Sequence, residues 1–503
     1  MRWIALIGLV LAGVSFADEA KTSYQSLGSH AGGVASVQFS PDGKLVASGG
    51  GDKLIRVTDA ATGREVHVWN GPSSFTCVVR FSPDGQTLVA AGYESGASNA
   101  IYRYDLKTGK ECSRICGPST GGVRRLLFTP DGQTLVTAGF DGYVRLWNVA
   151  AGKEIRSFKA DSGTVYGLDL SPDGKTVATA GRDGLRLWEL ASGRDQRREA
   201  MSRHSCVAVA FSQDGKLLAS GDSTSVVLWE LATGREVTTL RGFKGELSYL
   251  IFSADGRTLV TSSYDKMVRV WDVRTGKAIR ETEAHSGWVW GICLSKDEKY
   301  LVSCSVDGSL KRWNVAALGR ATLGVSRLSA DDAEQHCKAL GSRDPREALQ
   351  AVWALAGDPS RSLPLLSERL TGVRSAGPTA ADIERLIRRL DSDEWAEREN
   401  ASRALAKAGF HARTMLVRAL AAGPSLEVRK RLERLVSAID PTTLPPEDLA
   451  TVRGVQALET IGTAQARDLL ERLSQSPSGT PRLIEEAALA VQRLNRDQSR
   501  KRE

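Results

Sequence analysis

The stretch FSPDGKLVASGG, residues 39–50, decides the fold, because variants of it recur along the chain as far as residue 305. The later copies are FSPDGQTLVAAG from Phe81, FTPDGQTLVTAG from Phe128, LSPDGKTVATAG from Leu170, FSQDGKLLASGD from Phe211, FSADGRTLVTSS from Phe252 and LSKDEKYLVSCS from Leu294. In this turn Pro presets φ, Asp accepts local backbone hydrogen bonds and Gly adopts the left-handed conformation. The turn aspartates are therefore predicted to be structural and not catalytic.

The spacing of these turns identifies the architecture. Successive turn aspartates lie 41 to 47 residues apart, and each repeat holds four short runs of alternating apolar residues. A period of about 40–45 residues with this content is typical of β-propeller blades. We therefore expect residues 22–320 to form seven blades. The seventh turn has Glu298 in place of Gly, so we expect it to differ from the others or to be strained.

Three segments carry a family resemblance: DGYVRLWNVAAGKEI from Asp141, DKMVRVWDVRTGKAI from Asp265 and DGSLKRWNV from Asp307. They resemble the repeats of bacterial WD40 proteins, which form seven-bladed propellers. The resemblance implies that a His, a Ser or Thr, an Asp and a Trp hold each blade together by hydrogen bonds. Only the last blade keeps all four, as the structural set His285, Ser303, Asp307 and Trp313.

The chain also predicts how the ring closes. Residues 22–27 have the register of an outermost strand and precede the first blade. We expect them to pair with the third strand of blade seven, next to Trp313, because this removes two exposed sheet edges.

After Ala317 the apolar period changes from two to about 3.6, which predicts helices. The segments DPREALQAVWALAG, DEWAERENASRALAKAG, SLEVRKRLERLVSAI and TAQARDLLERLSQ begin with capping residues. Residues 325–498 resemble HEAT-like helical hairpins, and residues 499–503 form a charged tail. The predicted fold is therefore multidomain, an all-β seven-bladed WD40 propeller followed by an all-α helical-hairpin domain. Whether the two pack together stays open.

The first residues predict a secretory signal peptide at 1–17. Arg2 precedes an apolar run from Ile4 to Val14, and Ala17 is a suitable cleavage position. The run is shorter than the roughly 20 residues of a membrane-spanning helix. We expect an exported mature chain that starts at Asp18, is periplasmic or secreted and has no membrane span. A retained anchor is the alternative.

Cysteine, charge and histidine usage limit the function classes. Cys112 with Cys116, and Cys293 with Cys304, are close enough in sequence for either pair to bridge, although free thiols fit a chain of this size. The net charge of +8 is spread along the chain, which argues against nucleic acid binding. The six histidines stand singly and no Gly-rich phosphate loop is present, so we expect no metal, no cofactor and no enzymatic activity. The oligomeric state stays open.

The stretch HSGWVWGICLS, residues 285–295, indicates a binding surface. The position of Val289 is mostly apolar in the seven repeats, whereas the positions of Trp288 and Trp290 accept Gly, Glu, Arg or Ser elsewhere. Positions that accept side chains of such different size do not fill a fixed space between blades. We therefore expect them at the mouth of the channel, where WD40 proteins bind partners. The candidates are Trp288, Trp290, Tyr264, Phe140, Tyr166, Phe75, Arg124 and Arg182. For Trp290, packing against a neighbouring blade is an equal alternative.

These observations favour a non-catalytic, exported scaffold that binds a protein through one face of the propeller and through the helical domain. Two alternatives remain. One is an extracellular hydrolase or lyase carried by a propeller, and the other is a polysaccharide or cell-wall binding module.

Overall fold

The computed structural model describes residues 24–502 except 73–74, 94–99, 116–121, 197–200, 202–204, 322–326, 373–379, 439–444 and 477–478. The predicted signal peptide, the predicted start at Asp18 and the thiol of Cys116 lie outside the described residues.

The first part of the chain is a ring of antiparallel sheets. The closing strand is β1 (Tyr24–Ser29). Blade one is β2 (Val34–Phe39), β3 (Leu45–Gly50), β4 (Leu54–Asp59) and β5 (Glu65–Asn70). Blade two is β6 (Phe75–Phe81), β7 (Thr87–Tyr93), β8 (Ile101–Asp105) and β9 (Lys110–Ile115). Blade three is β10 (Val123–Phe128), β11 (Thr134–Gly139), β12 (Tyr143–Asn148) and β13 (Lys153–Lys159).

The remaining blades repeat this order. Blade four is β14 (Val165–Leu170), β15 (Thr176–Gly181) and β16 (Gly184–Glu189), with an isolated bridge between Trp188 and Asp195. Blade five is β17 (Ala208–Phe211), β18 (Leu217–Gly221), β19 (Ser225–Glu230) and β20 (Arg235–Arg241). Blade six is β21 (Leu247–Phe252), β22 (Thr258–Ser263), β23 (Met267–Asp272) and β24 (Lys277–Glu283). Blade seven is β25 (Val289–Leu294), β26 (Tyr300–Ser305) and β27 (Ser309–Asn314). The predicted seven-bladed propeller is confirmed.

The N-terminal strand closes the ring. β1 pairs antiparallel with β27, and Tyr24 lies opposite Trp313. The innermost strand of each blade contacts that of the next, including β25 with β2, so the circle is complete. Leu27 of β1 is fully buried between blades one and seven. The predicted pairing of this segment with the third strand of blade seven is therefore confirmed.

The seventh turn keeps the shape of the others. Glu298 has a φ of 55°, in the region that Gly43 occupies in the first turn with a φ of 73°. The Glu298 carboxylate accepts a hydrogen bond from the backbone of Ala254 and pairs with Arg320 at 2.7 Å. The expected strain is thus present, and contacts with the neighbouring blade and with the following segment offset it.

The helices follow blade seven. They are α1 (Val315–Leu318), α2 (Ala330–Ala339), α3 (Pro345–Gly357), α4 (Pro359–Thr371), α5 (Ala380–Arg389), α6 (Trp395–Ala408), α7 (Phe410–Ala421), α8 (Leu426–Ala438), α9 (Pro446–Ile461), α10 (Ala464–Ser474) and α11 (Pro481–Arg502). Asp344 caps α3, as its sequence predicts. Since α11 runs to Arg502, residues 499–502 of the segment expected to be a charged tail have a helical backbone.

Two groups of helices have separate cores. Helices α5 to α8 enclose a core around Leu390, Leu405 and Leu432. Helices α2, α3, α4, α9, α10 and α11 share one continuous apolar cluster with blades five and six. Leu240 of β20 and Leu349 of α3 belong to this cluster. The helical region therefore packs on the propeller, which answers the question that the sequence left open.

The structure also shows whether the described cysteines form disulfide bonds. Cys112, Cys206, Cys293, Cys304 and Cys337 are free. Cys293 lies opposite Val302 and Cys304 lies opposite Gly291, so the two thiols are out of register for a bridge.

Among the residues that the structure describes, no helix is both long and apolar enough to cross a membrane.

Candidate partner-binding face

The candidate residues gather at one end of the propeller. We call the end at which the innermost strands begin the upper face, and the opposite end the lower face. Trp288 immediately precedes β25, whose first residue, Val289, is fully buried. The backbone carbonyl of Trp288 accepts a hydrogen bond from Val306 at 3.0 Å. The strand thus anchors the backbone and leaves the neighbouring indole at the surface.

The Trp288 side chain forms a flat aromatic surface with Tyr264. The two rings stack with centroids 4.9 Å apart and planes inclined by 12°. The Trp288 residue is 49% exposed, although it is a large apolar residue. Tyr264 lies between β22 and β23, where its N–H donates to Glu246 at 2.8 Å. The stack is therefore held by two blades and still presents one indole face to solvent.

Trp290 has a different environment. Its ring meets Phe75 of blade two edge-on, with centroids 5.9 Å apart and planes at 82°. It also covers Gly33 of blade one, where an added Cβ would lie 3.3 Å from the indole. Trp290 is partly buried, so it packs against neighbouring blades as one of the two sequence alternatives predicted. This ring supports the channel mouth and offers less free surface than Trp288.

Arg124 forms the centre of a second group. Its guanidinium carbon lies 5.1 Å from the centroid of Tyr166 and 5.7 Å from that of Phe140. Its Nε is buried and has no hydrogen-bond partner among the described residues. Cation–π contacts orient the group without neutralising it. A partner carboxylate would complete the hydrogen bonding of Arg124.

Arg182 stands apart from the other candidates, and one further aromatic residue joins them. Arg182 is exposed and lies beside Gly163, and in the described part of the chain it makes no ring contact with the other candidates. Tyr93, which sequence reasoning missed, is 50% exposed and meets Phe140 edge-on at 6.3 Å. Its signal was an aromatic residue at the upper end of β7, where the other repeats have Gly, Phe, Arg, Ser, Tyr or Val.

The four residues of the structural set meet beneath this face. Ser303 Oγ lies 2.7 Å from His285 Nε2 and accepts from Trp313 Nε1 at 2.8 Å. Asp307 lies 3.3 Å from His285 Nδ1. Burial lowers the pKa of His285 to about 4, so the imidazole is neutral at pH 7. A fully enclosed, neutral imidazole in this position holds strands together and has no access to a substrate.

Blade one has an incomplete version of the same set. His30 contacts Asp52 and Ser48, each at 2.8 Å, whereas Thr58 occupies the Trp position and bonds to the backbone of Val46. Burial lowers the pKa of His30 as well. In the described part of the chain no three metal-ligating side chains converge on one point.

Comparisons with known proteins agree with this architecture. A family model described as outer membrane protein assembly factor BamB matches residues 14–282, and one described as WD domain, G-beta repeat, matches residues 276–314. Eukaryotic translation initiation factor 3 subunit I of Scheffersomyces stipitis is 38% identical over 82 residues, which are 16% of this chain and 23% of that protein. WD repeat-containing protein 1 of Xenopus tropicalis is 32% identical over 88 residues, 17% of this chain and 14% of that protein. Transcription initiation factor TFIID subunit 5 of Caenorhabditis elegans is 28% identical over 136 residues, 27% of this chain and 20% of that protein. The chain thus spans about a quarter or less of the length of each of these relatives.

Proposed function

Since the chain belongs to the family described as outer membrane protein assembly factor BamB and folds as a WD40 propeller, we propose that it is a non-catalytic scaffold of the cell envelope. Its upper face binds a segment of a protein partner. The helical region, docked on blades five and six, extends the surface available to that partner.

The stack of Tyr264 and Trp288 is the observation that carries this proposal. Large aromatic residues and arginine dominate the binding energy of protein interfaces. Here a half-exposed indole is already oriented by a second ring, so binding costs little side-chain entropy. Arg124, on blade three of the same face, has a buried Nε without a hydrogen-bond partner among the described residues. The partner segment therefore combines an apolar or aromatic side chain with an acidic one.

Export is part of the proposal. The signal-peptide pattern of residues 1–17 and the family description, which names outer membrane protein assembly, both support a periplasmic location. Two finer predictions stay with it, namely a bacterial source and a HEAT-like organisation of the helices.

A polysaccharide or cell-wall binding module is the second candidate. The same flat indole surface favours it, because a ring face can lie against a sugar as well as against a side chain. A hydrolase or lyase, the third candidate, differs from both in producing turnover. The experiment therefore has to identify whether the ligand that contacts Trp288 is a protein or a polysaccharide.

A photo-crosslinking aromatic amino acid, which keeps a ring at position 288 of the exported full-length protein, tests the proposal. We expect a discrete protein adduct from position 288 and none from position 155, an exposed apolar site on the outermost strand of blade three. Adding Tyr264→Ala to the position-288 variant should reduce the yield, since it removes the stacking partner. Adducts of equal yield from both positions, or adducts only with glycan, would overturn the protein-binding proposal.

A further inference from the structure

The central channel holds a column of positive charge that the upper-face proposal does not use. Arg80 of β6 donates to the hydroxyl of Tyr249 of β21 at 2.9 Å, which joins blades two and six across the channel. The guanidinium of Arg125 lies 5.4 Å from the centroid of the Tyr249 ring and donates to the backbone of Ser248 at 3.3 Å. Two guanidinium groups thus share one tyrosine inside the ring.

These groups lack an anion. No carboxylate among the described residues lies within ion-pair distance of Arg80 or Arg125. Burial and neighbouring positive charges lower the pKa of Arg125 to about 10. A guanidinium carries five N–H donors, of which Arg80 uses two and Arg125 one in the bonds described. Buried charges are normally paired, so this arrangement has unused capacity for a negative ligand.

An acid, Asp169, lies in the same channel. Asp169 of β14 accepts a hydrogen bond from the backbone of Phe211 at 2.7 Å, and burial raises its pKa to about 6. The Asp169 carboxylate feels the charge of Arg80 but makes no ion pair with it among the described contacts. Even with Asp169 ionised, the two arginines leave the channel positive.

The column opens at the lower face into a cavity of about 330 Å³. Arg80, Gln38 and Cys293 line it, together with Phe81, Phe128 and Pro41. The Gln38 carbonyl oxygen accepts from the backbone of Phe81 at 2.6 Å, which leaves the Gln38 amide nitrogen as a donor. A cavity of this size matches small-ligand sites, and its polar groups are mainly donors.

We propose that the lower mouth of the channel is an anion site that takes one carboxylate or phosphate group, bound by Arg80 with Gln38 beside it and Arg125 behind it. A guanidinium presents parallel N–H groups that match the oxygens of either anion. The aromatic and prolyl side chains of the lining lower the local polarity beside this contact, which strengthens it. The site lies at the opposite end of the channel from Trp288, so it stands or falls independently of the upper-face proposal.

Calorimetric titration of the full-length protein with sodium phosphate and with sodium acetate, at constant ionic strength in chloride, tests the site. We expect saturable binding of one equivalent by the parent protein and at least a tenfold weaker binding by Arg80→Gln. Arg80→Lys, which keeps the charge but not the paired donors, should fall between them. The matched control is Arg182→Gln, an exposed arginine of the upper face, which should bind like the parent.

Peptides distinguish the two sources of the anion. If the site takes a partner's carboxylate, a short peptide with a free C-terminus binds and its amidated form does not. If it takes a free ion, phosphate or acetate binds and neither peptide does.

Alkylation of Cys293, which lines the cavity, measures binding without relying on the heat of binding. Phosphate should slow its reaction with iodoacetamide in the parent protein but not in Arg80→Gln, as peptide mass spectrometry measures. The proposal is wrong if neither ions nor peptides bind saturably, or if Arg80→Gln and Arg182→Gln behave alike.

Discussion

Arg453 of α9 donates two hydrogen bonds to the carboxylate of Glu230 at the end of β19, from Nε at 2.7 Å and from Nη2 at 2.8 Å. Arg453 is 1% exposed, and its Nη1 donates to the carbonyls of Leu340 and Ser342 at 2.8 and 2.6 Å. The guanidinium therefore ties together blade five, the end of α2 and helix α9. Lys216 and Glu459, 2.8 Å apart, form a second link across the same boundary.

Glu230→Gln should destabilise the protein by about 3–5 kcal/mol, because it leaves the Arg453 charge buried without its anion. Adding Arg453→Met should recover much of that loss, since the double variant buries no charge. Denaturant unfolding, followed by circular dichroism, measures both. Glu283→Gln, at an exposed position on the outermost strand of blade six, is the control and should change stability by less than about 0.5 kcal/mol. Equal losses of stability in Glu230→Gln and in the control Glu283→Gln would contradict a buried ion pair.

Leu27→Ala should lower stability by about 2–5 kcal/mol, because this fully buried side chain fills the space between the closing strand and its neighbours. Val68→Ala, on the outermost strand of blade one and 46% exposed, is the matched control. Thermal unfolding of both variants gives the comparison. If Leu27→Ala unfolds at the temperature of the control, the closing strand contributes little to the ring.

Trp288→Ala combined with Tyr264→Ala should weaken binding of the crosslinked partner by about 2 kcal/mol, roughly 30-fold in Kd. The melting temperature should change little, because one indole face is already in solvent. Ile155→Ala, distant on blade three, should leave the Kd unchanged. A loss of stability in proportion to the loss of binding would show that the stack is a packing element.

Asp169→Asn should stabilise the protein at pH 7–8 by about 1–3 kcal/mol and have little effect at pH 4. The pKa of Asp169 is raised to about 6 in the folded chain, so the folded state holds a proton more firmly than the unfolded one between about pH 4 and 6. Stability attributable to this residue is therefore present at low pH and lost as the pH rises through that window. Asparagine keeps the acceptor for the Phe211 backbone without the charge.

The test is the difference in unfolding free energy between Asp169→Asn and the parent across pH 4–8. Taking the difference removes the opposite contribution of His285, whose lowered pKa costs stability as the pH falls from about 6.5 to about 4. Asp468→Asn, at an exposed helical position, controls for a general charge effect. A difference that does not vary with pH would mean that Asp169 is solvated.

Local chemistry made much of this fold predictable. The repeated Ser-Pro-Asp-Gly turn depends only on residues within it, as the bonds of Asp42 with Ser40 at 2.6 Å and with the Lys44 backbone at 3.1 Å show. Helix starts such as Asp344 are equally local. The closing strand was predictable because the unpaired strand edges at the two ends of the ring can both be satisfied by pairing with each other.

Contacts between distant segments were not predictable in this way. Arg453 and Glu230 each stand in a stretch whose charges suggest a solvated surface, and only docking of α9 on blade five buries them. Trp290 could be placed at the channel mouth from its repeat position. Its packing on Phe75 depends on how blades seven and two are placed relative to each other, and the sequence of a single repeat does not specify that placement.

The pairing of Tyr24 with Trp313 has a consequence for biosynthesis. At about 5–20 residues per second, roughly 15–60 s separate the emergence of the first strand from that of the strand it pairs with. During this delay Leu27 and the open edges of the finished blades have no partners, and open edges recruit other chains. Synthesis faster than chaperone capture should thus lower the yield through aggregation. A circular permutant that begins at β6 would avoid this delay for its first strand, because β6 pairs with the strand that follows it, β7. In general, a chain escapes this delay when its first and last strands belong to different, self-contained hairpins.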